Sequence, residues 1–114
     1  MAAYETVNLE EGMPRVEQAM KKLTYHLHEK KRQGVRAVKL IHGFGSSGTG
    51  GGIRKRCREY LESLQRRGVI VAFVPGERFS IFDADTRRLL DLCPDMRRDS
   101  DLDRHNNGVT IVQF

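Results

Sequence analysis

Tryptophan is missing from this chain of 114 residues, aromatic residues make up only 7%, and cysteine occurs twice. Hydrophobic residues reach 39%, leaner than an average globular domain but enough for a two-layer core. Cys57 and Cys93 stand far apart, with no CxxC pair and no Cys/His ligand spacing. They read as buried thiols of a reducing compartment, not as a disulfide or a zinc site. Long apolar runs are also lacking. The longest, at residues 69–74, falls far short of the ~20 residues that a bilayer requires. The opening MAAYETVNLEE is acidic and has no apolar h-region, so no signal peptide is visible. The expectation is a cytoplasmic protein without a membrane partner, built as one domain over residues 1–114. No internal repeat is present.

What the chain does have is positive charge, unevenly placed. Residues 1–74 carry 14 Lys/Arg against 7 Asp/Glu, whereas residues 75–114 carry 6 against 8. Within residues 36–67 the balance is 8 basic to 2 acidic. Such a stretch suits a polyanion, most naturally nucleic acid, or else is a solvated helix face that binds nothing.

Apolar periodicity places the elements. Val16, Ala19, Met20, Leu23 and Leu27 form one stripe of a helix over about residues 14–33, with Pro14 in its first turn and Gly34 just past its end. Residues 5–9 and 35–41 read as strands. A second helix over residues 52–67 turns Ile53, Cys57, Tyr60, Leu61 and Leu64 inward and stops at Gly68. Residues 69–74, apolar on both faces, read as a central strand, and residues 78–82 as a short one. Residues 75–107 read as a variable polar insertion, and its acidic tract 83–107, weakly helical at 86–92, is expected as a partly ordered surface excursion. After the Asn106-Asn107-Gly108 turn, residues 109–114 alternate into a last strand. The fold class is α/β: a two-layer α/β sandwich in β-α-β-α-β-β order with a mixed sheet.

The loop between the second strand and the second helix is the most informative stretch. His42-Gly43-Phe44-Gly45-Ser46-Ser47-Gly48-Thr49-Gly50-Gly51-Gly52 holds six glycines in eleven residues. Bare backbone there lets N–H groups approach an anion closely, and the helix N-terminus adds partial positive charge. Arg54, Lys55 and Arg58 follow on that helix, with 54 and 58 on one face. Phosphate binding is the functional reading; a connector without a ligand is the other.

Three familiar motifs half-match. Gly43-x-Gly45-x-x-Gly48 meets the dinucleotide fingerprint and Glu77 ends the next strand, but it lies 29 residues beyond Gly48 instead of about 20 past the motif. A Walker loop would need Gly-Lys-Ser/Thr, and a hydrolase would need a Gly-x-Ser-x-Gly elbow; neither occurs. Asp99-x-Asp101-x-Asp103 opens like a calcium loop, yet Arg104 stands where its glycine belongs and Thr110 where its glutamate belongs. These aspartates are expected as solvated loop charge.

Taken in order, these pieces resemble the small MutS-related (Smr) domain. The resemblance covers residues 4–74 and 107–114 and rests on Ile41-His42-Gly43-Phe44-Gly45, Thr49-Gly50, Ile53-Arg54-Lys55, Arg58-Glu59-Tyr60-Leu61 and Gly108-Val109-Thr110-Ile111-Val112. It implies a fold similar to the C-terminal domain of translation initiation factor three. It also implies binding of DNA or RNA, branched-DNA nicking or RNA cleavage in some members, and a link to DNA repair, recombination or RNA processing. The implied nucleic-acid-binding residues are Gly43, Phe44, Gly45, Gly48, Thr49, Gly50, Arg54, Lys55 and Arg58. For cleavage the candidates are His42, expected to titrate near neutrality, with Glu10 and Asn8 at the end of the first strand. There the family carries Leu-Asp-Leu-His, whereas this chain has Val7-Asn8-Leu9-Glu10. Asn8 is no carboxylate base and Glu10 no imidazole, which weakens the case for an endonuclease. Mg²⁺ or Mn²⁺ would enter only with cleavage, and no metal ligands are assigned. No protein partner is indicated. A small phosphate ligand or dinucleotide held by the same loop is the alternative.

Overall fold

A computed structural model of the chain describes residues 4–44 and 50–114. In chain order the elements are β1 (Tyr4–Asn8), α1 (Val16–Arg32), β2 (Ala37–Ile41), α2 (Gly50–Arg66), β3 (Ala72–Pro75), α3 (Ala84–Leu92) and β4 (Val109–Gln113). One mixed sheet has the order β1-β2-β4-β3. β1 and β2 are parallel, with Asn8 opposite Ile41, and β4 runs antiparallel between β2 and β3.

Both long helices end as the glycines suggest. Gly34 and Gly68 take φ of +81° and +75°. Val35 N–H then reaches the Lys30 carbonyl at 3.1 Å, and Val69 N–H the Leu64 carbonyl at 2.9 Å. This is the Schellman closure, which a residue with a Cβ enters only under strain. The inward stripes of α1 and α2 meet Val7, Val38, Leu40 and Val112 of the sheet in one core.

Three expectations are corrected. The run at 69–74 does not make a central strand: β3 lies at the sheet edge, and Val69 and Val71 are exposed on the approach to it. The strands buried on both faces are β2 and β4. Residues 78–82 form no strand. Gly76–Arg78 is a 3-10 turn, Phe79 N–H bonds back to the Gly76 carbonyl at 3.2 Å, and the Phe79 side chain is buried. Nor is the acidic tract a surface excursion. Phe79, Leu89, Leu90, Cys93 and Met96 pack on Ala37, Val74, Val109 and Ile111, giving the sheet's second face its own core. To the expected sandwich the tract adds a third layer, because β4's alternate side chains are apolar too and must be covered.

The calcium-like aspartates serve this docking. Lys39 projects from β2 toward the tract and is 6% exposed. Its Nζ pairs with Asp99 Oδ1 at 2.8 Å and with Asp101. Tyr4 OH donates to Asp99, and Asn106 Nδ2 to Asp101 at 2.9 Å. Burial works to lower the Lys39 pKa, but the hydrogen bonds to Asp101 and Asp99 outweigh it and raise it. Asp101 is the mirror case: burial raises its pKa, and the bonds from Lys39 and Asn106 hold it below the usual carboxylate value. These carboxylates are therefore a clamp on the sheet, not solvated loop charge.

Candidate functional site

β1, β2 and β3 all end at one edge of the sheet, where β4 begins. There the end of β1 meets the start of the glycine loop. Leu9 N–H bonds the Ile41 carbonyl at 2.8 Å, which carries the chain past β2's last residue. Gly43, at φ +74°, lies so close to the Glu10 carboxylate that a Cβ would sit 1.8 Å from Oε1. The conformation calls for glycine here, whereas the Glu10 carboxylate, at the end of a flexible exposed side chain, can swing aside. Asn8 turns its side chain inward on its own loop: Oδ1 accepts the Glu10 N–H at 2.9 Å. Its carbonyl accepts Lys22 Nζ at 2.7 Å.

His42 is fully buried. Its backbone N–H and that of Gly43 both bond the Gly108 carbonyl at 3.0 Å. Nδ1 lies 2.7 Å from the Gly43 carbonyl, an acceptor, so Nδ1 carries the proton. Nε2 is then a bare acceptor, 2.8 Å from Thr110 Oγ1, whose hydroxyl donates to it. Thr110 Oγ1 in turn accepts from Arg58 Nε at 3.3 Å. The polarity of the whole chain, Arg58 to Thr110 to His42 to Gly43, follows from the one carbonyl at its end. Burial, and then the charges of Arg58 and Arg54, push His42 down to about 4, with the Gly43 bond opposing. His42 is thus neutral at pH 7 with both ring nitrogens engaged, contrary to the expectation that it titrates near neutrality.

Arg58 is likewise committed. Its NH1 and NH2 grip Glu77 Oε2 and Oε1 at 2.8 and 2.7 Å, and NH2 also reaches the Asn107 carbonyl at 3.4 Å. Burial would raise Glu77, but the Arg58 hydrogen bonds, a backbone bond and the Arg58 and Arg54 charges hold it below the usual carboxylate range. Glu77, which the dinucleotide alternative needs for a ribose, is occupied by arginine.

The structure leaves Phe44 and Lys55 exposed and Arg54 at intermediate exposure. Phe44 is 54% exposed, with its ring edge beside Gly108. Arg54 is half-buried and near enough to His42 and Glu77 to bias both, whereas Lys55 is exposed. Gly45, Gly48 and Thr49 lie outside the described residues, and Gly50 opens α2. Among the described residues no three His, Cys, Asp or Glu side chains are grouped to hold a metal ion. Thr110 was missed as a site residue. Its signal was a lone hydroxyl inside the aliphatic run Val109-Thr110-Ile111-Val112.

A family model described as the Smr domain matches residues 11–80. Among solved structures, the Smr domain of Thermus thermophilus MutS2 is similar, with a TM-score of 0.57 and 23% identity. That match covers 96% of this chain and 95% of the other. No curated protein matches.

Proposed function

The chain belongs to the Smr domain family, and from that premise we propose that it binds DNA or RNA through the sheet edge where β2 gives way to α2. The observation that carries this reading is the exposure of Phe44 and Lys55, with Arg54 half-buried, on either side of a glycine-rich stretch of sequence. An exposed ring between glycines offers a stacking face, and the two cations offer phosphate contacts.

Binding without strand cleavage is the form of this function that the geometry supports. His42 has no free ring nitrogen, Asn8 is spent on its own turn, and Glu10 packs over Gly43. Roles in DNA repair or RNA processing rest on the family alone. A cytoplasmic setting belongs to the same proposal, supported by the two buried cysteines, Cys57 and Cys93.

The test is a salt titration of binding to duplex DNA and single-stranded RNA oligonucleotides. Polyanion binding falls with a log–log slope of about −0.9 per neutralised phosphate on duplex. Replacing Arg54 and Lys55 by Ala should flatten that slope by about two phosphates' worth and leave the melting temperature in place. A salt-insensitive affinity overturns the reading in favour of a small phosphate ligand, and a steep slope unchanged in the variant overturns the assignment of the phosphate contacts to this edge.

A further inference from the structure

We propose that Glu77 is a resident anion occupying the Arg58 guanidinium in place of a nucleic-acid phosphate, so that the Arg58–Glu77 pair sets the affinity of the interface. This rests on the nucleic-acid reading and adds a residue to it that charge counting misses, since in sequence Glu77 reads only as the ribose-binding acid of the dinucleotide alternative.

The geometry is that of an exchangeable ligand. A guanidinium fork fits a carboxylate and a phosphate in the same bidentate manner. In this fork Nε is held by Thr110 and so keeps its position. Only NH1 and NH2 face Glu77. Exchange therefore requires no rearrangement of Arg58 itself. The two partners also differ in freedom: the Arg58 side chain is 19% exposed, the Glu77 side chain 41%. Glu77 sits in a single 3-10 turn just beyond β3, with its carboxylate on the open side, and can swing into solvent.

Glu77 is placed there by the inserted tract. Gly76 is pressed against the Asn106 carbonyl and Val109, and Phe79 is sunk into the second core. Those anchors on either side fix the turn and aim Glu77 at α2. Arg54, by contrast, has no ion-pair partner among the described residues, although it lies on the same face of α2. The interface thus presents one available arginine and one that a ligand must win from an internal competitor. Ligands that deliver phosphates to both positions gain most from that exchange.

The experiment measures binding of fluorescent duplex DNA and single-stranded RNA oligonucleotides by wild type and Glu77→Gln across a salt series. Glu77→Gln keeps a carbonyl oxygen for Arg58 while removing the competing charge. It should bind roughly fivefold tighter at low salt. Its slope on duplex DNA should steepen by about 0.9, one further phosphate. Repeated in an Arg58→Gln background, the gain from Glu77→Gln should vanish. Glu77→Ala, which empties the fork altogether, is the second variant should Gln perturb the turn. A gain that persists without Arg58 is a long-range charge effect and overturns the proposal. So does an unchanged affinity in Glu77→Gln and Glu77→Ala while wild type binds, an outcome that leaves the nucleic-acid reading standing. Absence of binding by wild type in low salt overturns that reading, and this proposal with it.

Discussion

Replacing Lys39 by Ala tests whether the tract is clamped to the sheet by charge. The Lys39 side chain is 8% exposed, that of Asp99 7% and that of Asp101 18%. Removing the ammonium leaves two carboxylates in a site nearly closed to water. Breaking a buried pair by deleting one partner typically costs about 3–5 kcal/mol, against about 0–1 for a surface pair. Asp101 can relax partly into solvent, so the lower end applies, about 3 kcal/mol. For a domain of this size that lowers the melting temperature by roughly 10 °C. Urea unfolding followed by circular dichroism reads the loss directly. Replacing Lys39 by Met together with Asp99→Asn and Asp101→Asn should recover most of it, because no charge is then left buried. The pH dependence carries the same signature. Asp101 is depressed, so its contribution is complete above 3.8 and drains away as pH falls through its lower folded value. Lys39 is raised, so its contribution is complete below 10.5 and is lost as pH climbs through its higher folded value. In Lys39→Ala the acid limb should shrink. A cost below about 1 kcal/mol with an unaltered acid limb would refute the clamp, placing the pair among ordinary surface bridges.

His42 should titrate at about 4 by NMR. Because that value is depressed, stability should decline as pH falls below 6.5, and a midpoint near 6.5 would contradict the buried relay. Phe44→Ala should weaken single-stranded nucleic acid by about 1–3 kcal/mol at little cost in folding; if affinity holds, the ring stacks on nothing. Wild type should leave branched DNA and structured RNA intact with Mg²⁺, with Mn²⁺ and without metal. Nicking that disappears in His42→Ala would instead restore His42 as a catalytic residue.

Local pattern alone determined much of this protein. Apolar stripes at helical spacing gave α1 and α2, because one face of each must be buried wherever the helix docks. Gly34 and Gly68 marked their ends, because a positive φ is a property of the residue and its neighbours only. The glycine loop, with Arg54 and Lys55 behind it, was legible for the same reason. Tertiary structure decided everything that depends on a partner distant in the chain. The run at 69–74 cannot say whether it will be central or edge, since β4, which takes the place between β2 and β3, is more than thirty residues away. In sequence Asp99 and Asp101 read as a calcium-loop opening or loose charge; only folding brings them onto Lys39, 60 and 62 positions away in the chain. His42 has an unremarkable pKa as a residue type. Only the closure of Thr110, Arg58 and the Gly108 turn around it excludes water and holds it neutral, because desolvation and hydrogen-bond geometry belong to the assembled site.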